Sequence, residues 1–586
     1  MRRLAFALVL LGISFSRAPA GAKLKVDDAV VRKALDDELA RSMKELRLGD
    51  EPRPYYVAYT IMDPEQATVS ASFGAVTAAH AYRGRLLRTD VRVGTPAFDN
   101  TNFEPNGKVD ALPVEDDYAC LRRELWLRTD EAYKSAVELL ARKRAAAESQ
   151  AGGDEDPNLG DFSKEPATKL EVPFPAGEVE PAQLREVVVK LSAIFRDYPA
   201  LTGARVTGTY AVVRRRMLSS EGTWVDDASR TVKIEVLADT QADDGMRLRH
   251  FVPFTALEPS GLPPLPEMEK AVRAMADELV AMRKAPVAES GTAAVLFEGI
   301  AAAQLTKLLL ADNLGGTPPP KTASAGADDG GQESALATKL GQKVTAPLLS
   351  AVDDPLLASG PGKAPLFGAY KVDDEGVPAQ KVTVVEHGVL KGLLMSRTPR
   401  KEISRSNGHA RAPRFAGAHA HVGTLVVTGE GPGGAATGLP RKALLGELTR
   451  AAKGGGVTTY VVRLLDDGLL PAGGDDDFMT LFSFGGGSRG APLVRPLVVY
   501  KIEGGKETLV RGLALENLQP RTLKDITAVG QDAFVYNFVD QGNGFAGVPS
   551  TIVAPALLVS DVDVRRLAGK NRKPPLFPPP GFRAAK

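Results

Sequence analysis

The sequence predicts an α+β protein in two parts: an N-terminal domain of helices on an antiparallel sheet, and a β-rich C-terminal domain. Three observations predict it. Helical and strand-like patterns alternate as helix, meander, helix, meander up to about residue 258. From Pro365 onward, period-two strand patterns broken by glycine turns dominate. With 586 residues, the chain is too long for a single ordinary core. The hydrophobic fraction of 44% and charged fraction of 25% are those of a globular protein. The net charge of +1 gives no global field toward nucleic acid or anionic lipid, so neither is expected as a partner.

The first segment reads as a signal peptide over residues 1–22. Arg2 and Arg3 are its charged start, and Leu4 to Ile13 is an apolar run too short to span a bilayer as a mature helix. Ala18-Pro19-Ala20 and Ala20-Gly21-Ala22 are both small-x-small cleavage sites, with a mature chain expected from about Lys23. An uncleaved anchor is the alternative. The expectation is a periplasmic or secreted protein with no integral membrane segment after cleavage.

The N-terminal domain is expected over 23–258. Val31, Ala34, Leu35, Leu39, Met43 and Leu46 recur at helical spacing, which predicts an amphipathic helix over about 28–46, stopped by Gly49, Pro52 and Pro54. Strand patterns follow at Tyr55–Met62, Ala67–Phe73 and Leu86–Val93, then a long helix over 117–147. Residues 148–167 are polar and rich in Gly, Asp and Pro, and read as a mobile loop. A helix over 181–196 precedes strands at Arg205–Leu218, Thr231–Leu237 and Met246–Thr255, with Ser219-Ser220-Glu221-Gly222 as a turn. A linker and helix fill 259–290. The C-terminal domain spans 291–569, opening on an apolar, helix-prone stretch at 293–310 and a disordered insert at 317–333. Its strands are expected at Lys381–Glu386, Val422–Thr428, Thr458–Leu464, Phe478–Phe484, Leu493–Lys501 and Ile552–Val559. Residues 570–586 form a basic, proline-rich tail.

Chemistry-bearing residues are few. Cys120 is the only cysteine, so no internal disulfide and no cysteine-rich metal site can form; it reads as a small buried side chain at a helix start. Of six histidines, His419 and His421 are the only close pair. On a strand they share one face, so two-nitrogen metal binding is conceivable, with Asp475, Asp476 or Asp477 as a third ligand; a strand with two polar side chains is the plainer reading. His387 reads as a hairpin-turn residue and His409 as a loop residue, while His80 and His250 have no evident partners. Asp373-Asp374-Glu375 and Asp475–Asp477 do not match a twelve-residue calcium loop and read as solvated turns. Asp353-Asp354 and Asp466-Asp467 read as loop acids. There is no G-x-x-x-x-G-K-[ST] loop, and Gly485-Gly486-Gly487-Ser488 reads as a turn.

The most specific stretch is Tyr370-Lys371-Val372-Asp373-Asp374-Glu375-Gly376-Val377-Pro378-Ala379-Gln380, followed by Val384-Val385-Glu386-His387-Gly388-Val389-Leu390-Lys391-Gly392. In order after it come Ser406–Arg411, Val422–Val427, Asp477-Phe478 and a closing segment from Gly544 to Val559. This ordered set resembles the C-terminal domain of the TldD/PmbA metallopeptidase family over roughly the last half of the chain. Ser219–Gly222 extends the resemblance to the N-terminal domain. Asp161-Phe162-Ser163-Lys164 and Asp99-Asn100-Thr101-Asn102-Phe103 resemble an exported branch of that family.

The resemblance implies an architecture and a missing site. Active members carry His-Glu-x-x-x-His on a helix and a distal cysteine, which together hold zinc. In the aligned stretch, Ala294 to Gln304, Phe297 and Ala302 stand at the histidine positions and only Glu298 remains. Gly542 to Gly547 contains no cysteine. No cofactor is therefore expected, although active relatives use zinc. The resemblance implies a dimer, either with itself or with a metal-bearing family member, that encloses a peptide chamber. The expected role is a peptide-binding or partner subunit of a proteolytic complex. The alternatives are an active metallopeptidase with a rearranged site using His419 and His421, and a structural envelope protein.

Overall fold

The computed structural model describes residues 27–104, 108–149, 159–174, 179–319, 334–413, 417–431, 435–466, 493–540, 547–567, 575 and 580. The signal segment, the strand expected at Phe478–Phe484, the acids at Asp475–Asp477, the turn at Gly485–Ser488 and residues 541–546 lie outside the described residues. So do residues 150–158 of the expected loop and most of the expected insert and tail. Among the described residues, no helix is long and apolar enough to cross a membrane.

Two large sheets carry the chain. The first contains β1 (Pro54–Ser72), β2 (Ala75–Arg83), β3 (Leu86–Thr95), β4 (Phe98–Asp99), β5 (Val109–Ala111), β6 (Lys169–Glu171), β7 (Gly203–Ser219), β8 (Trp224–Gln241) and β9 (Arg247–Ala256). Its main path runs β4-β3-β1-β7-β8-β6, with β2 on β1, β5 on β3 and β9 on β8. Its antiparallel pairs leave apolar residues on alternating faces, and helices cover them. Helices α1 (Asp28–Glu45) and α2 (Tyr118–Ser149) pack through Leu35, Leu121 and Leu125 against Val57, Tyr59 and Ile61 of β1. Helices α3 (Ala182–Ala193) and α4 (Leu265–Met282) cover the other core, through Leu184, Val188, Val272 and Leu279 against Val69, Val206 and Ile234. Asp27 caps α1 by accepting from the backbone of Ala29 and Val30.

The second sheet contains β10 (Gly291–Phe297), β11 (Leu349–Asp353), β12 (Val382–Glu386) and β13 (Val389–Leu390). After the small ribbon of β14 (Ala410–Arg411) and β15 (His419–Ala420), it continues with β16 (Thr424–Gly429), β17 (Thr458–Leu465), β18 (Pro496–Glu503), β19 (Lys506–Val510), β20 (Leu513–Glu516), β21 (Ile526–Asp540) and β22 (Val548–Arg566). Its path is β13-β12-β11-β16-β22-β10-β17-β18-β19, with β20 and β21 also paired to β22. The long β22 is the spine, and helices α5 (Ile300–Leu309) and α6 (Arg441–Gly455) pack on the sheet around β10. This is the α+β architecture that the sequence patterns predict.

Four local expectations are corrected. Tyr55–Met62 and Ala67–Phe73 are one strand, because Asp63-Pro64-Glu65 stays in register with β7 instead of turning. Asp63 is held there by Arg85 at 2.6 Å and by Arg216. The exposed strand β2 has no counterpart in the sequence reading; its alanine-rich pattern lacks a buried face. Residues 293–310 are not a single helix: Ala293–Phe297 forms β10, paired on both sides, and the helix starts only at Ile300. Cys120 is exposed, since the first turn of α2 faces solvent there.

Candidate functional site

The stretch that the sequence reading sets against the zinc motif is not the single helix that the motif implies, but the junction of β10 and α5. Phe297 ends a central strand and is fully buried. The Glu298 N–H still donates to Val462 O at 3.0 Å, and Gly299 turns the chain at φ +60°, a left-handed conformation that favours glycine. Ala302 is buried one turn into α5. The two residues at the histidine positions therefore belong to different elements. Gln304 ties α5 to β17, its amide donating to Leu465 O at 3.0 Å and its carbonyl accepting from Leu465 N at 2.9 Å.

Glu298 is clamped. Its carboxylate accepts from Arg441 Nε at 2.8 Å and Nη2 at 3.0 Å, and from Arg463 Nε at 2.7 Å. The same two guanidinium groups hold Glu507 at 2.8 Å and 2.6 Å. Burial alone would raise the Glu298 carboxyl; the hydrogen bonds and charges of Arg441 and Arg463 outweigh it and hold the group below the usual carboxylate range. A carboxylate held this way is a weak base. Neither a phenyl ring nor a methyl group offers a lone pair, so Phe297 and Ala302 do not fit the zinc ion that the family motif implies.

The histidines show a common arrangement. His421 Nε2 faces Asp540 Oδ2 at 3.0 Å and its Nδ1 faces Val422 O at 3.1 Å. His409 is fully buried, with Nε2 facing Asp353 Oδ1 at 3.1 Å and Nδ1 facing Asn407 O at 2.9 Å. His250 Nε2 faces Glu278 Oε2 at 2.8 Å and its Nδ1 faces Phe251 O at 3.1 Å. Each ring lies between a carboxylate and a carbonyl, both acceptors. Each of these rings thus has a partner within the fold at both of its nitrogens. His419 is different: burial first, then its neighbour His421, push its pKa down and favour the neutral form. Its ring centroid is 6.3 Å from that of His421. Among the described residues, no group of three or more His, Cys, Asp or Glu side chains is placed to hold a metal ion.

Around His421 the structure assembles residues that sequence reasoning missed. Lys307 of α5 reaches Asp540 at 3.3 Å and Asp312 at 2.9 Å, and lies over the Phe538 ring at 5.3 Å. Burial would raise the Asp540 carboxyl, but His421 and Lys307 hold it far below its usual range. This cluster joins α5, the end of β21 and the β15 ribbon. No local motif marks Asp540 or Lys307, because each is an ordinary charged residue until the fold brings them together.

The acidic turn is not solvated, contrary to the sequence reading. Asp373 is fully buried and accepts from Glu375 N at 3.0 Å, Val377 N at 2.8 Å and Ala410 N at 3.0 Å. Burial, reinforced by the nearby Glu375 carboxyl, raises it to about 7. Asp374 accepts from Arg215 Nη1 at 2.5 Å and from Arg411 Nε at 3.4 Å, and its backbone carbonyl accepts from Arg88 at 2.5 Å. Burial would raise it too, yet Arg411, Arg215 and Arg88 lower it to about 2. Arg88 and Arg215 belong to the first sheet, so this turn plugs the second sheet into the first. Asp353 is likewise no loop acid: it ends β11 fully buried, bonded to His409 and to the backbone N–H of Gly423 and Thr424.

Residues 290–433 match the model of the PmbA/TldA metallopeptidase C-terminal domain. Over these residues the chain is similar to the TldD/PmbA family. A metalloprotease of Archaeoglobus fulgidus is 40% identical over 77 residues, which are 13% of this chain and 16% of that protein. A metalloprotease of Methanothermobacter thermautotrophicus is 27% identical over 201 residues, 33% of this chain and 39% of that protein. These alignments cover well under two thirds of the relatives' own lengths. The solved structure of TldE from Thermococcus kodakarensis superposes with a TM-score of 0.59 over 91% of this chain and 99% of that one, at 16% identity, which establishes a shared fold. The TldD/PmbA resemblance read from the Tyr370–Gln380 segment falls inside the matched domain.

Proposed function

We propose that this chain is an exported TldD/PmbA-type metallopeptidase homologue without a zinc site of its own, acting as a peptide-binding or partner subunit of a proteolytic complex. The observation that carries this reading is the β10–α5 junction, where Phe297 and Ala302 stand at the ligand positions and two arginines neutralise Glu298. A glutamate without a metal-bound water has nothing to deprotonate in the family chemistry. The three histidines set between carboxylates and carbonyls support the same reading, since each is already engaged at both ring nitrogens. The signal-like start at Arg2 to Ala22 supports export. A metal-bearing relative is the partner of choice, because such a partner would supply the missing chemistry.

The test is purification of the full chain from the envelope fraction, with zinc measured on the same sample and co-purifying proteins identified. The expected result is substoichiometric zinc on the isolated chain, no peptide cleavage by it alone, and a metal-bearing relative in the complex. One tightly held zinc per isolated chain, with chelator-sensitive cleavage, overturns the proposal.

A further inference from the structure

We infer that the groove between α1 and the free edge of β6 is a strand-addition site for an extended peptide that carries a large apolar side chain. The ligand class rests on the peptide-binding reading above; the location is independent of the degenerate zinc position and lies on the other sheet.

Backbone chemistry carries the argument. Strand β6 pairs in parallel with β8, with Lys169 opposite Trp224 and Glu171 opposite Asp226. Trp224 N–H donates to Thr168 O at 2.8 Å, and Val172 N–H donates to Asp226 O at 2.8 Å. In a parallel ladder alternate residues bond to one neighbour, so Thr168, Leu170 and Val172 face β8. The N–H and C=O groups of Lys169 and Glu171 point the other way and meet no partner among the described residues. Such an unpaired row is a template for another strand, because only a polypeptide in extended form offers donors and acceptors at matching intervals.

An open groove lies beside this edge. It has a volume of about 630 Å³, within the range of sites that enclose ligands. Its base is apolar: Leu218, at the end of β7, and Trp224 line it together with Leu39 and Met43 of α1. The Arg32 guanidinium stacks 4.0 Å from the Trp224 ring centre, and the indole N–H donates to Glu171 at 2.8 Å. These contacts fix the ring at one side of the groove, beneath the Arg32 guanidinium. Arg32 and Asp36 on the helix side, with Lys169 and Glu171 on the strand side, give both walls one charge of each sign. The site therefore repels neither basic nor acidic peptides, and selects extended backbone with an apolar side chain over the Leu39–Trp224 base.

The experiment uses the full chain and fluorescein-labelled, end-capped peptides of alternating phenylalanine and lysine, followed by anisotropy. Lys169→Pro removes one outward N–H without touching a bond to β8. Ala40→Arg fills the groove from an exposed position on α1. Both variants should melt with the wild type, and both should weaken peptide binding about tenfold or more. Equal affinity in the wild type and both variants overturns the inference and leaves the partner reading above intact. Absence of any peptide binding by the wild type also overturns it. A concentration-dependent dimer abolished by both variants overturns it as well, by assigning the edge to a second copy. Tightly held zinc on the same sample sinks only the partner reading.

Discussion

At the scale of single residues, the Phe297–Glu298 stretch is built into the fold. Phe297 fills a fully buried slot at the end of β10, and Glu298 is one member of an alternating cluster with Arg441, Arg463 and Glu507. Placing histidines here should therefore fail. Phe297→His combined with Ala302→His places imidazoles where no partner waits, and exchanging a buried phenyl ring for a polar one costs roughly 2–5 kcal/mol. The expected outcome is a large drop in the urea midpoint with no zinc bound; full stability together with stoichiometric zinc would show that the site is only dormant. Glu298→Gln tests the clamp itself. Because the Glu298 pKa is lowered in the fold, its contribution is present above the usual value of 4.5 and is lost as pH falls through the folded value. Urea titrations should show the variant about 1 kcal/mol weaker at pH 7 and indistinguishable from wild type in strong acid. That Phe297 and Ala302 offer no lone pair is legible in the sequence, because lone pairs are a property of residue type. The clamp was not, since Arg441 is 143 positions from Glu298.

At the scale of elements, the sequence misleads where tertiary pairing overrides local signals. The Asp-Asp-Glu-Gly turn has the composition of a solvated loop, and a one-dimensional reading has no access to Arg88 and Arg215 across the seam. The apolar run from Ala293 to Leu310 fits a buried strand or a helix equally well, and β17 and β22 decide the matter by pairing with its first part. Helices with clear periodicity, such as α1 and α4, fall where their patterns place them. The acidic turn also predicts a pH response. Asp374 is lowered to about 2, so its contribution is complete above the unfolded value of 3.8 and disappears as pH falls toward 2. Asp373, raised to about 7, acts in the opposite sense: its contribution is complete below 3.8 and is lost as pH rises through 7. Asp374→Asn should abolish the acid-side loss between pH 4 and 2. At neutral pH it should cost about 3 kcal/mol, by leaving buried arginines undercompensated. Chemical denaturation across that pH range measures both, and an unchanged acid limb in the variant would remove Asp374 from the account.

At the scale of the molecule, the question is what makes two sheets one body. Besides the acidic turn, the seam is closed by Arg397, which is almost fully buried. Its guanidinium donates to Glu221 at 2.7 Å and 3.1 Å and to Ser163 O at 3.0 Å and 2.7 Å. It also stacks 3.7 Å from the centre of the Phe162 ring, while Arg92 of β3 stacks 3.5 Å from the same centre. A ring between two cations is tolerable only because Glu221, Asp90 and Asp99 offset both charges. Phe162 lies between Asp161 and Ser163, and Asp161 is bonded to Lys143 at 2.6 Å, so this one stack ties α2, the first sheet and the second sheet together. Arg397→Ala removes the fork and the stack at once and strands Glu221; the expected cost is about 3–5 kcal/mol, concentrated at the seam. Calorimetry should then resolve one cooperative transition into two, one for each sheet. Arg397→Lys keeps the charge without the planar fork and should fall between the two. A single unshifted transition in Arg397→Ala would place the coupling of the two sheets in the other contacts of the seam, among them Arg88 and Arg215 on the acidic turn, Arg511 on Asp244 and the packing of Leu464 and Val498.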